Sequence, residues 1–105
     1  MKSDLPERTF AFAVEIVELC KELNGKRGIT RTLLTQLLRS GISVGANVQE
    51  GQSSQSTADF LTKYSIACKE ARETHYWLRL LVATNLISET GLRSYLPNPT
   101  SYWRF

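Results

Sequence analysis

The chain has only three prolines, Pro6, Pro97 and Pro99, so the long stretch between positions 7 and 96 contains none. Proline inside a helix removes a backbone donor and clashes with the preceding turn, so that whole stretch is free to be helical. No part of it shows the sustained alternation with period two that a half-buried strand requires. Apolar residues recur three and four apart instead. The fold class that follows is all-α: an antiparallel helical bundle of three long helices plus a shortened or divergent fourth element. A chain of 105 residues fits a single helical-bundle domain, 1–105.

The first helix opens on Asp4, Pro6 and Glu7, which have the character of an N-cap, a first-turn proline and a capping-box acid. The stripe Phe10, Ala13, Val14, Val17 and Cys20 has helical spacing, with Phe12, Ile16, Leu19 and Leu23 beside it, so the helix is apolar around more than half its circumference. Asn24, Gly25 and Gly28 end it. A second helix runs from about Thr30 or Thr32 to Glu50, with Leu33, Leu37, Val44 and Val48 as one stripe that Leu34, Leu38 and Ile42 widen. Gly41 and Gly45 lie one turn apart on one side of it, each costing about 1 kcal/mol of helix propensity against alanine. That cost points to close backbone packing against a neighbouring helix, or a slight kink. Ser56 and Asp59 cap a third helix, free of Gly and Pro to about Asn85, whose core stripe is Phe60, Tyr64, Ala67, Ala71, Leu78 and Val82.

Composition narrows the function classes. Apolar residues make up 42% and charged residues 22%, the proportions of a folded globular chain. A net charge of +3 permits a polyanionic partner without requiring one. Cys20 and Cys68 sit in apolar helical stretches and form no secreted disulfide framework. No apolar run approaches a membrane span and no signal-peptide segment opens the chain, so a cytoplasmic protein with no membrane partner is expected. Catalysis finds little support. His75 is the single histidine and stands seven residues after Cys68, roughly 10 Å along a helix and too far for a hydrogen bond. Metal ligands with finger-like spacing are missing, as is a phosphate-cradling loop, so no enzyme activity, metal or cofactor is expected.

Two side-chain groups remain. Glu50, Glu70 and Glu73 converge if the second and third helices are antiparallel, but they lack the Glu-x-x-His pairs of a di-metal centre. They read as a structural polar seam, pairing with Arg39 or Arg72 or accepting hydrogen bonds from Ser43 and Asn47, that fixes helix register. On the third helix, Lys69, Arg72, Tyr76 and Arg79 fall within about 80° of one another, away from the core stripe. Cations that neutralise phosphates and a tyrosine that stacks on an unpaired base make a candidate site for RNA or DNA. The alternative is a solvated face supported by an intrahelical Lys69–Glu73 pair.

In sequence order, the chain carries Gln36-Leu37-Leu38-Arg39-Ser40, Ser43-Val44-Gly45-Ala46-Asn47-Val48 and Glu50-Gly51-Gln52. Asp59-Phe60, Lys69-Glu70-Ala71-Arg72-Glu73-Thr74 and Tyr76-Trp77-Leu78 follow. Over residues 8–88 this resembles the bacterial four helix bundle protein family, also called the 23S rRNA-intervening-sequence or S23 family. The resemblance implies a non-enzymatic subunit that assembles with itself, in a ring of five, and a group of relatives that bind nucleic acid. The alternative function is a structural oligomeric adapter that binds another protein. The resemblance also implies a long fourth helix from about Ser88, and here residues 89–105 depart from it, since at most two turns fit before Pro97 and Pro99. Tyr95, Leu96, Tyr102, Trp103 and Phe105 are expected to lie partly across the bundle or a neighbouring subunit in its place.

Overall fold

A computed structural model of the chain describes residues 4–24 and 27–97. They form α1 (Leu5–Glu22), α2 (Ile29–Gln52), α3 (Thr57–Ala83) and the short α4 (Glu89–Tyr95). Among the described residues there is no strand. The bundle is 43 Å long, about the length of α3 at 1.5 Å per residue.

Local chemistry sets the helix ends. Gly28, at φ +71°, supplies the left-handed residue through which the chain enters α2, so it opens that helix rather than closing the first. Ser56 caps α3, its hydroxyl accepting from the Asp59 N–H at 3.1 Å. Asn85, at φ +61°, ends α3 in the left-handed region that asparagine tolerates better than most residues. Ser88 caps α4 by accepting from the Gly91 N–H at 2.9 Å. Asp4 stands at the N-cap of α1 without a capping bond; its carboxylate lies 3.9 Å from the Arg8 guanidinium instead.

α2 is the middle helix, packed against α1 on one side and α3 on the other. Both pairs run antiparallel. Gly41 faces Ile16 and Gly45 faces Thr9, while on the other side Ser40 meets Thr74 and Gly51 meets Phe60. The α1–α2 approach is very close. A Cβ on Gly41 would lie 2.8 Å from Ile16 Cγ2, and one on Gly45 would lie 3.1 Å from the Thr9 carbonyl oxygen. The glycines therefore serve the packing that their propensity cost implied.

This contact decides which of the two apolar stripes of α1 is inside. Phe12, Ile16, Leu19 and Leu23 are buried, whereas Phe10, Val14 and Val17 are 69%, 44% and 37% exposed. The two sets are offset by two residues, which on a helix is 200° and puts them on nearly opposite faces. On α3 the core is Ala67, Ala71, Thr74, Leu78 and Leu81; Phe60, Tyr64 and Val82 lie toward its margin. Three hydroxyls are buried, and two of them, Ser40 and Thr74, meet across α2 and α3, 2.8 Å apart, each also within hydrogen-bond distance of a carbonyl of its own helix, Leu37 and Glu70. Buried hydroxyls so satisfied carry little penalty and specify which residues face each other.

α4 closes the end of the bundle where α1 stops, α2 starts and α3 stops. Leu96, which follows it, is fully buried, and Leu92 and Tyr95 pack on the same core cluster. Tyr102, Trp103 and Phe105 lie outside the described residues.

Beside the Ser40–Thr74 contact, Arg39 reaches from α2 to two carboxylates of α3, Glu70 at 3.2 Å and Glu73. The guanidinium holds the Glu73 carboxyl below its ordinary value of 4.5. A carboxyl depressed in the fold adds stability above its ordinary value and loses it as pH falls through the folded one.

Two predictions follow from this packing. Gly41→Ala should lower stability by about 1–3 kcal/mol in urea unfolding, because the new methyl overpacks against Ile16. In an Ile16→Ala background the loss should be smaller, since the Cγ2 and Cγ1 contacts at 2.8 and 3.0 Å are gone and only the Cβ contact at 3.2 Å still opposes the propensity gain of about 1 kcal/mol; equal losses in both backgrounds would reject the close approach. Arg39→Met should cost about 0.5–1 kcal/mol at pH 7, the order for an ion pair with one half-exposed partner. Its stability curve should converge on that of the wild type as pH falls below the ordinary Glu73 value of 4.5 and through the lower folded one. Curves that stay parallel in urea melts across this range would mean the pair contributes nothing.

Candidate functional site

The register that joins Arg39 to α3 also fixes the rotation of α3. Its buried residues and its cations lie on opposite sides, roughly 160° apart on a helical projection. Lys69, Arg72, Tyr76 and Arg79 are all exposed, with Tyr76 at 55%. None of the three cations makes an ion pair among the described residues. The intrahelical Lys69–Glu73 pair does not form, because Glu73 is taken by Arg39. A lysine placed before its glutamate is also the weaker order for an i,i+4 pair. Tyr76 and Trp77 meet in a T-shaped pair, ring centroids 5.2 Å apart, which steadies the exposed phenol on the surface.

The seam residues divide. Arg39, Glu70 and Glu73 come together across α2 and α3. Asn47 instead donates to the Ser43 carbonyl of its own helix at 2.9 Å, and Glu50 is exposed near the end of α2 without an ion pair among the described residues. Arg72 turns outward, away from the carboxylates.

The titratable groups suited to chemistry are poorly placed for it. Burial pushes the Cys20 thiol up to about 11, which keeps it protonated and unreactive at neutral pH. Tyr64 is raised by burial and by neighbouring Cys68. His75 is lowered, by burial first and by Arg79 second, so its imidazole is neutral at pH 7. Among the described residues no group of three or more His, Cys, Asp or Glu is arranged to hold a metal ion. No described helix is long and apolar enough to cross a membrane.

The surface has two further features. One is a groove of about 390 Å³ between the last turns of α3 and α4, lined by His75, Leu78, Arg79, Val82, Leu92 and Arg93 among others. Nothing in the residue spacing announces it, because it depends on where α4 lies. The other is the outer face of α1, where Phe10 and Ala13 meet Ile42, Gly45 and Ala46 of α2 along a second groove of about 320 Å³. Its residues were legible as apolar, on a helix with more apolar circumference than one subunit covers; which of them stay outside was not.

Comparison with known proteins agrees with this architecture. The family model for 23S rRNA-intervening sequence proteins matches residues 1–100. A crystal structure from Bacteroides thetaiotaomicron, of a protein of unknown function from the S23 ribosomal protein family, is 40% identical. It superposes with a TM-score of 0.82 over 95% of this chain and 92% of that one. Among curated proteins none matches the chain. A shared sequence pattern over nearly the whole length and a shared fold place this chain in the 23S rRNA-intervening sequence protein family.

Proposed function

We propose that this protein is a non-enzymatic, self-assembling helical bundle of the cytoplasm that binds RNA or DNA through the outer face of α3. One observation carries the reading: Lys69, Arg72 and Arg79 project into solvent without ion-pair partners among the described residues, around an exposed, propped Tyr76. Cations in a solvated helix face are ordinary when acids are interspersed. Here the acids of the same stretch of α3, Glu70 and Glu73, turn toward α2, and Glu89 of α4, which lines a groove with Arg79, is paired with Arg93. What remains outside is a positive track with an aromatic platform in it, the combination that follows a phosphate backbone and stacks its bases.

The exposed stripe of α1 supports self-association. Phe10, Val14 and Val17, with Ile42 beside them, form a continuous apolar face that a lone subunit leaves in water. A second copy of the chain covers it in this reading. Assembly also strengthens the first proposal, since a ring of five subunits at +3 each carries about +15 and multiplies the phosphate contacts. The adapter alternative needs the same apolar face and makes no use of the α3 cations.

Affinity for single strands should fall with salt, with a logarithmic slope of about −2 if three cations each neutralise one phosphate. Lys69→Glu with Arg72→Glu should weaken RNA and DNA alike while leaving the circular dichroism unchanged. Tyr76→Ala should cost about 1–3 kcal/mol on single strands and little on duplex. No binding by the wild type at low salt, to RNA or DNA, would end the reading and leave the adapter.

Light scattering should find an oligomer at micromolar concentration, and Phe10→Glu with Val14→Glu should dissociate it into folded subunits. A wild-type monomer would sink the assembly claim.

A further inference from the structure

We propose that the groove between α3 and α4 receives one unpaired base of a bound single strand, so that the protein prefers exposed bases over paired ones. This inference rests on the nucleic-acid reading and goes beyond it. Its volume of about 390 Å³ falls within the range of roughly 300–1,000 Å³ typical of small-molecule sites. Leu78, Val82 and Leu92 give it an apolar floor.

Its rim is polar in a way that suits a base. Arg79 belongs both to the cation face and to the groove wall. A phosphate held by Arg79 therefore has its own base one sugar away, at the groove mouth. On the opposite wall Arg93 is tied to Glu89 at 2.8 Å, which sets a donor and an acceptor side by side at the rim. A base edge offers complementary donors and acceptors, which a plain aliphatic ligand does not. His75 adds a ring at the wall, and burial together with Arg79 keeps it uncharged at neutral pH. It thus presents a flat aromatic surface rather than a second cation.

Bases stacked within a duplex cannot reach such a groove without being extruded. The groove is therefore selective for single strands by geometry, whereas the cations alone would accept any phosphate backbone.

The test compares two fluorescent twelve-nucleotide probes with equal phosphate number, one of mixed sequence and one fully abasic, by anisotropy at low salt. Wild type should bind the base-bearing probe more tightly. Ala83→Trp, at an exposed position of the groove wall, should fill the groove. That should reduce affinity for the base-bearing probe by about 5- to 150-fold, the value of a stacked base, and leave the abasic probe unchanged. A second measurement is independent of that variant's fold: 2-aminopurine placed within the strand should change its emission on binding to wild type, and Arg93→Gln should diminish the change. If Ala83→Trp alters neither probe, or both equally, the groove holds no base and the proposal is overturned while nucleic-acid binding stands. If wild type binds neither probe, the underlying reading fails and takes this one with it.

Discussion

Two side chains that are not there, at Gly41 and Gly45, decide how the rest of the bundle is arranged. They let the backbone of α1 settle onto α2 so closely that a methyl group at either position would meet Ile16 or the Thr9 carbonyl. Close approach of this kind works in one rotational setting of α1 only. It turns Phe12, Ile16, Leu19 and Leu23 inward, and the same rotation necessarily turns Phe10, Val14 and Val17 outward. The apolar outer face is thus a consequence of the packing rather than a separate feature. A helix that is apolar around most of its circumference has to present one side to something.

This is also where sequence reasoning reached its limit. Helix existence, order and approximate ends were readable from proline placement, caps and period, because those signals are local. The glycine pair was readable as a packing contact. Which stripe of α1 faces inward was not, since two apolar stripes with the same spacing compete and the choice is made by the partner helix. Ser40 and Thr74 were missed for a related reason: polar residues on a core face look like errors until each is seen to satisfy the other. Leu96 was legible as an apolar group near the chain's end, but its complete burial depends on where α4 closes the bundle.

The candidate site divides along the same line. The outward direction of Lys69, Arg72, Tyr76 and Arg79 follows from helix periodicity, a property of α3 by itself. The seam had one legible half, Arg39 with Glu70 and Glu73, because opposite charges on facing helices find each other if the register allows. Ser43 and Asn47 are shorter, and the Asn47 amide reaches a carbonyl of its own helix before it can reach across. The groove beside Arg79 had no local signature at all.

The seam and the cation face are coupled, and the coupling explains why the face is so strongly positive for a chain of modest charge. Glu73 has two possible partners, Lys69 on its own helix and Arg39 on the next. Arg39 presents a rigid guanidinium that engages two carboxylates at once, while lysine offers a single flexible charge in the less favourable i,i+4 order. Arg39 therefore wins Glu73, and Lys69 is left to the solvent. An interaction that contributes only modestly to stability thus does its larger work at a distance of one helical turn: by drawing both acids to the α2 side it strips α3's outer face of negative charge. Registering two helices and leaving the cations of α3 without a carboxylate partner are, in this fold, consequences of the same ion pair.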